Sequence, residues 1–193
     1  MPLQYSSIVE EVMAVRSSAG LWVRGKDAKQ KLDFLTTNSL DKLKYGKVQY
    51  NLLVNERGGV KDDITVYMMG EEEYFLCVNS INREKVLNWL TSWGLTVEDW
   101  TFQSVQIALQ GKSAEEKLSK YFDVSGLKRY NFLTFGNVII SRTDYTGEDG
   151  FEIYAPIKEG VEIFEALSKE VQTCGLGARD VLRIEAGMPL YGH

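Results

Sequence analysis

The sequence predicts an α+β fold made of two similar modules, each an antiparallel sheet with helices on one side. Residues 25–32 and residues 111–118 share the same order of glycine, charged and apolar positions, and a short apolar strand precedes each copy. Around both copies, alternating runs predict strands and apolar residues at helical spacing predict helices. The repeated order indicates an internal duplication with helices segregated to one side of each sheet.

The first half is expected to open with a helix over residues 6–19, which a capping box at Ser7 and Glu10 begins and Gly20 ends. A short strand at 21–23 and a helix at 26–35 follow. Three consecutive antiparallel strands are then expected, at 48–54, 62–69 and 74–78, and together they predict a meander. A helix over 83–93 has apolar residues that cover this meander.

The second half repeats this order. Strands are expected from residue 105, around 133–142 and at 151–154, with helices at 159–170 and 177–186. The domain prediction is therefore one domain, 1–193, made of two interleaved modules at roughly 21–102 and 103–193, with helix 6–19 added. A ligand would ordinarily bind between two such halves.

Composition excludes several function classes. A chain of 193 residues with 44% hydrophobic and 25% charged residues is typical of a globular protein, and its net charge of −5 argues against a nucleic-acid partner. Its longest apolar runs are far too short to span a bilayer, and residues 1–20 show no signal-peptide pattern. We therefore expect a cytoplasmic protein with no membrane partner.

Cysteine and histidine usage speaks against metal chemistry. Cys77 and Cys174 lack metal-ligand spacing, so buried free thiols are expected rather than a disulfide or a metal site. The single histidine, His193, stands at the end of the sequence, so the residues that a zinc site or a Ser-His-Asp triad needs are lacking. The sequence predicts no metal.

The hairpin at residues 55–67 carries two adjacent carboxylates. Gly58 and Gly59 suit a tight turn, and the strand that follows alternates its side chains between two faces. Asp62 falls at the rim of the apolar face, whereas Asp63 shares its face with Thr65 and a tyrosine. Asp63 is therefore the better catalytic candidate, although a solvated acidic pair beside a turn is the commoner case.

A second candidate lies in residues 141–154. Glu152 points away from the apolar pair Phe151 and Ile153, so it is either an exposed glutamate or an acceptor for a ligand with adjacent N–H donors. Geometry alone leaves both open. Arg179, at a helix N-terminus, has the wrong charge for the helix dipole, which favours a specific partner such as a carboxylate over an exposed salt bridge.

Four tyrosines could stack on a ligand, although each alone is more often a packing residue. They are Tyr50, Tyr67, Tyr130 and Tyr145.

Several motifs, in order along nearly the whole chain, resemble the aminomethyltransferase family, the T-protein of the glycine cleavage system. They are the segment 11–16, the Gly58-Gly59 hairpin with Asp62 and Asp63, the segment 78–85, Gln110-Gly111, the segment 141–154 and the segments 175–180 and 185–192.

The resemblance implies the duplicated, strand-swapped folate-binding fold with ferredoxin-like halves. It implies that tetrahydrofolate, as co-substrate, takes the carbon of an aminomethyl group carried on the lipoyl arm of the H-protein, with release of ammonia. It places the catalytic aspartate at Asp63, the pterin-binding glutamate at Glu152 and the folate-site arginine at Arg179. The four tyrosines become pocket residues by the same resemblance.

The chain also departs from the family. The family continues into a β-barrel domain that we expect to be absent here, because the sequence stops at His193. A non-catalytic folate-binding scaffold or a truncated fragment therefore stays open as the alternative function.

Overall fold

The computed structural model of the protein describes residues 18–192. These residues divide into two compact units, residues 18–102 (the first unit) and residues 103–191 (the second unit). Each unit holds one antiparallel sheet, which confirms the α+β class and the pair of sheets. All strands of each sheet, in the described part of the chain, come from the same half of the sequence.

The first unit contains five strands, two α-helices and two short 3-10 helices at Leu40–Lys42 and Ser80–Asn82. In chain order the strands and α-helices are β1 (Ser18–Arg24), α1 (Ala28–Leu35), β2 (Val48–Val54), β3 (Val60–Gly70), β4 (Glu73–Asn79), α2 (Arg83–Ser92) and β5 (Thr96–Asp99).

The second unit contains four strands and three helices. They are β6 (Ser104–Gln110), α3 (Ala114–Leu118), β7 (Phe132–Phe135), β8 (Val138–Ser141), β9 (Gly150–Pro156), α4 (Ile157–Ser168) and α5 (Leu176–Glu185).

In the first sheet the strands lie in the order β2-β3-β4-β1-β5, so the expected meander is present. One face carries the apolar core, where Ile64 and Val66 of β3 pack with Leu32 of α1 and Leu90 of α2. Burial of these aliphatic side chains on one side of the sheet stabilises the unit, at about 25 cal/mol per Å² of apolar surface. The alternate residues of β3, including Asp63, therefore point to the opposite face.

The second sheet has the order β6-β9-β8-β7. Its core includes Ile107 of β6, Ile140 of β8 and Ile153 of β9, with Leu118 of α3. Gly160 of α4 lies so close to β6 that an added Cβ would stand 2.0 Å from a methyl group of Val105. A glycine is needed there for the helix to approach the sheet.

The repeated segment has the same backbone structure in both units. Gly25 and Gly111 have φ values of +126° and +118°, which suit glycine, and each carbonyl accepts the N–H of the alanine that opens the following helix, at 2.9 Å in both cases. The residues before those helices, Asp27 and Ser113, have nearly identical dihedral angles, φ −95°, ψ 1° and φ −96°, ψ 2°. The predicted repeat is confirmed.

Three expectations need correction or addition. The expected helix at 6–19 lies mostly outside the described residues, but its last two positions belong to β1, because the backbone of Ser18 and Ala19 pairs with Asn79 and Val78. Strand β5 was not expected. Cys174 is an exposed free thiol rather than a buried one, and Cys77 is partly buried.

All four tryptophans of the sequence lie in the first unit. Trp22 and Trp100 contact the ring of Phe75, with centroid distances of 5.3 and 6.0 Å. Trp89 of α2 contacts Trp93, the residue that follows this helix, with ring centroids 5.8 Å apart. The Lys61 ammonium lies 4.0 Å from the Trp89 ring centroid. The described helices include none with the length and apolarity that crossing a membrane requires.

Candidate functional site

Asp62 and Asp63 of β3 have opposite surroundings. Asp62 is completely buried, deeper than the rim position that the sequence suggested, while Asp63 is only partly buried. The strand register places Asp63 opposite Leu52, and it places Thr65, the next residue on that face, between Tyr50 and Cys77. The expected separation of the two carboxylates onto two faces is present.

The Asp62 carboxylate is held by three hydrogen bonds from two asparagines. Oδ2 accepts the backbone N–H of Asn79 at 3.0 Å, and Oδ1 accepts the side-chain amides of Asn79 at 2.9 Å and Asn82 at 2.6 Å. Burial raises the pKa of the Asp62 carboxyl, and the hydrogen bonds from Asn79 and Asn82 oppose that rise. Asp62 is thus a structural anchor at the end of β4.

Asp63 shares one of these donors. The side-chain amide nitrogen of Asn79 lies 2.7 Å from Oδ1 of Asp63, as well as 2.9 Å from Oδ1 of Asp62. Asn79 was not identified from the sequence as a site residue. Its place at the end of β4, beside β3, depends on strand register, which a single sequence does not reveal.

The other predicted side chains of the first unit differ in exposure. Tyr50 is 39% exposed, on the same face as Asp63. Tyr67 is fully buried and packs edge-on against Phe75, with ring centroids 5.4 Å apart. Thr65 lies opposite Tyr50 in the strand register and two residues before Tyr67. Its hydroxyl oxygen is buried and has no hydrogen-bond partner among the described residues.

In the second unit, Glu152 of β9 is enclosed by polar neighbours. Gln106 donates to Oε1 at 2.7 Å, and the hydroxyl of Thr143 donates to Oε2. Burial raises the pKa of the Glu152 carboxyl, the hydrogen bond from Thr143 opposes the rise, the charge of Asp144 adds to it, and Arg179 opposes it. Each oxygen holds one donor and keeps acceptor capacity for another.

Arg179 and Tyr145 lie together in the second unit. The guanidinium carbon of Arg179 stands 5.2 Å from the Tyr145 ring centroid, and the Tyr145 hydroxyl donates to the carbonyl of Pro189 at 2.5 Å. A cation over an aromatic face is favourable by about 0.5–1 kcal/mol at exposed sites. The structure therefore places Arg179 against the Tyr145 ring, and the charge of Arg179 acts on the Glu152 carboxyl.

Tyr130 stands apart in its backbone conformation. Its φ of +56° is the only positive value among non-glycine residues in the described part, and its side chain is 45% exposed. Its backbone N–H donates to the carbonyl of Arg142 at 2.9 Å, which holds the loop beside β8. A tyrosine in this conformation is strained by about 1–2 kcal/mol.

Within residues 18–192 no group of three or more acidic, histidine or cysteine side chains could hold a metal ion. The polar groups described above are carboxylates, amides, hydroxyls and one guanidinium. In the second unit, the Glu152 carboxylate suits hydrogen bonding to the N–H donors of an organic ligand, and the Arg179 guanidinium suits an anionic group.

The whole chain, residues 1–193, matches the model of the GCVT N-terminal domain family. It is 58% identical over 200 residues to an aminomethyltransferase of Aquifex aeolicus and 42% identical over 213 residues to one of Listeria monocytogenes. Both alignments cover all of this chain and 57% and 59% of the relatives, so the chain spans little more than half their length.

Solved structures show the same fold. The glycine cleavage system aminomethyltransferase T from Bartonella henselae superposes with a TM-score of 0.86 at 30% identity, over 98% of this chain and 57% of that one. The heterotetrameric sarcosine oxidase from Corynebacterium sp. U-96 gives a TM-score of 0.56 at 18% identity, over 83% of this chain and 85% of that one. The second likeness concerns the fold alone.

Proposed function

Because the chain belongs to the GCVT N-terminal domain family, we propose that it is the folate-binding part of a cytoplasmic aminomethyltransferase of the glycine cleavage system. The proposed reaction converts the aminomethyl-lipoyl H-protein and tetrahydrofolate to methylene-tetrahydrofolate, ammonia and dihydrolipoyl H-protein. The observation that carries it is the 58% identity to a curated aminomethyltransferase across this whole chain.

Asp63 is the proposed catalytic residue. Its carboxylate is partly buried on a rigid strand, and a fixed anion there favours positive charge that develops on the transferred carbon and on the attacking amine. The same carboxylate can also help to place protons. Asp62 cannot take this role, because it is buried and its oxygens already accept three hydrogen bonds.

The second unit supplies the proposed contacts to the pterin edge and to the folate carboxylate. Glu152 retains acceptor capacity on both oxygens, which suits the adjacent N–H groups of a pterin edge. Arg179 carries the positive charge that a folate carboxylate needs. Tyr130 and Tyr145 of this unit are also proposed to bind folate. Tyr50 and Tyr67 of the first unit remain candidate folate-binding residues, of which Tyr67 is fully buried.

Two measurements test this proposal. Calorimetric titration of the chain with tetrahydrofolate should give saturable binding, and Glu152→Gln should weaken it about tenfold or more, because a charged acceptor of two hydrogen bonds is lost. Glu148→Gln is the matched control, since Glu148 is an exposed glutamate in the turn before β9. Its affinity should equal that of the wild type.

Turnover is the second measurement. With aminomethylated H-protein, the chain should form methylene-tetrahydrofolate. Binding without product would favour the alternative of a non-catalytic folate-binding scaffold or fragment. Absence of both binding and product would contradict the whole proposal.

A further inference from the structure

Asn79 links the two neighbouring aspartates through one amide group. Its Nδ2 atom carries two hydrogens, and it lies 2.9 Å from Oδ1 of Asp62 and 2.7 Å from Oδ1 of Asp63. One hydrogen can therefore serve each carboxylate. Because an unfavourable contact between two like charges is otherwise expected at adjacent acids, a shared donor also eases their repulsion.

The buried carboxylate of Asp62 fixes the position of the Asn79 amide. Asp62 accepts both the backbone and the side-chain N–H of Asn79, and Asn82 donates to the same carboxylate at 2.6 Å. Asp62 is completely buried, so these bonds are shielded from water. A satisfied buried network of this kind is rigid. The amide of Asn79 consequently has one orientation to offer Asp63.

The Asp63 carboxylate is then oriented by a single side-chain contact. Only Oδ1 receives a hydrogen bond in the described part of the chain, and it comes from Asn79. The other oxygen, Oδ2, accepts none there. An anchored Oδ1 leaves Oδ2 for the reacting groups.

We propose that Asn79 is a positioning residue for Asp63, with the buried Asp62 as its anchor. This inference rests on the proposed catalytic role of Asp63. Asn79 does not itself contact the reacting groups; it restricts rotation of the Asp63 carboxylate. Misplacement of a catalytic group by about 1 Å can reduce a rate by about 100-fold.

Asn82 offers a matched control. Asn79 and Asn82 both donate to Asp62, but only Asn79 also donates to Asp63. Asn79→Ala should lower kcat by about tenfold or more and leave the Kd for tetrahydrofolate within about twofold of wild type. Asn82→Ala should lower the Tm about as much as Asn79→Ala does, but it should leave kcat within about threefold of the wild-type value. Equal losses of kcat in the two variants would overturn the inference.

A double-mutant cycle separates positioning from general damage. In the Asp63→Asn background, Asn79→Ala should lower kcat no further, because the group it positions is already gone. A full additional loss would overturn the inference. If Asn79→Ala does not fold, Asn79→Thr replaces it, since one hydroxyl hydrogen can serve only one of the two carboxylates, and the same criterion applies.

A spectroscopic measurement keeps this inference apart from the proposed reaction. The ¹³C resonance of the Asp63 carboxyl, assigned with Asp63→Asn, should move in Asn79→Ala and stay in place in Asn82→Ala. This readout needs no turnover. Absence of turnover in the wild type would contradict the proposed function, whereas an unmoved Asp63 resonance in Asn79→Ala would overturn the positioning role.

Discussion

Glu152 occupies in the second sheet the register position that Phe75 occupies in the first. Trp22, three residues before Gly25, pairs with Phe75, and Ala108, three residues before Gly111, pairs with Glu152. Phe75 is fully buried among aromatic rings. The duplicated framework thus accepts a large apolar ring at this position, so a carboxyl group is not a requirement of the fold.

The raised pKa of Glu152 predicts how stability depends on pH. The unfolded chain releases this proton at the ordinary glutamate pKa of 4.5, whereas the folded chain keeps it to higher pH. Between these two pKa values the folded state binds more protons, so the free energy of unfolding falls as pH rises through that interval and is level above it. Glu152→Gln removes this contribution.

We therefore expect the difference in Tm, Glu152→Gln minus wild type, to be more positive at about pH 7 than at about pH 4. Scanning calorimetry at both values measures it. Glu148→Gln changes an exposed position, so its difference in Tm from the wild type should be the same at both pH values. A pH-independent difference for Glu152→Gln would contradict the account of its burial.

The two aspartates of β3 should separate activity from stability. Asp63→Asn should reduce turnover by about 100-fold or more and change the Tm little, because Asp63 is only partly buried. Asp62→Asn should lower the free energy of unfolding by about 1–3 kcal/mol, because an amide cannot accept all three hydrogen bonds that the buried carboxylate accepts. Steady-state kinetics and thermal unfolding check both. Equal losses of turnover would refute the assignment of the two faces.

Replacement of Thr65 by an apolar residue should make the folded protein more stable than the wild type. Its hydroxyl oxygen is buried without a hydrogen-bond partner among the described residues, which is unfavourable by about 1–3 kcal/mol. Thr65→Val should raise the Tm by about 2–4 °C or more. Thr36→Val should lower it, because the buried Thr36 hydroxyl donates to the carbonyl of Leu32 at 2.8 Å. A loss of Tm in Thr65→Val would show that this hydroxyl has a partner in solution.

Tyr130 allows backbone strain to be separated from loss of a ring. Tyr130→Gly and Tyr130→Ala remove the same exposed side chain, but only glycine adopts a φ of +56° without strain. We expect the glycine variant to be more stable than the alanine variant by about 1 kcal/mol, measured by urea unfolding. Both should bind tetrahydrofolate more weakly if the ring contributes to the proposed pocket. Equal stability of the two variants would argue against strain at this residue.

Local patterns were sufficient to predict much of the fold. The match between residues 25–32 and 111–118 predicted two equivalent turns, and Gly25 and Gly111 adopt the same backbone conformation. Alternation predicted β2 with its observed bounds and assigned Asp62 and Asp63 to opposite faces. These features depend on residues close together in the chain.

Features that depend on distant pairing were missed. The helix expected at 6–19 was wrong at Ser18 and Ala19, because pairing of β1 with β4 extends the strand backwards. Strand β5 has only four residues, two of them acidic, and becomes a strand by pairing with β1. The contact of Asn79 with both aspartates joins residues 16 and 17 positions apart, and the segment 78–85 that contains Asn79 does not by itself indicate this contact.

The distribution of tryptophans gives each unit a different optical signature. Trp22, Trp89, Trp93 and Trp100 all lie in the first unit, and residues 103–193 contain only tyrosine and phenylalanine as aromatic residues. Emission excited at about 295 nm, where tyrosine absorbs little, therefore reports on the first unit alone, whereas far-ultraviolet circular dichroism reports on both sheets. The order in which the duplicated halves unfold can thus be followed in the wild-type chain without an attached dye.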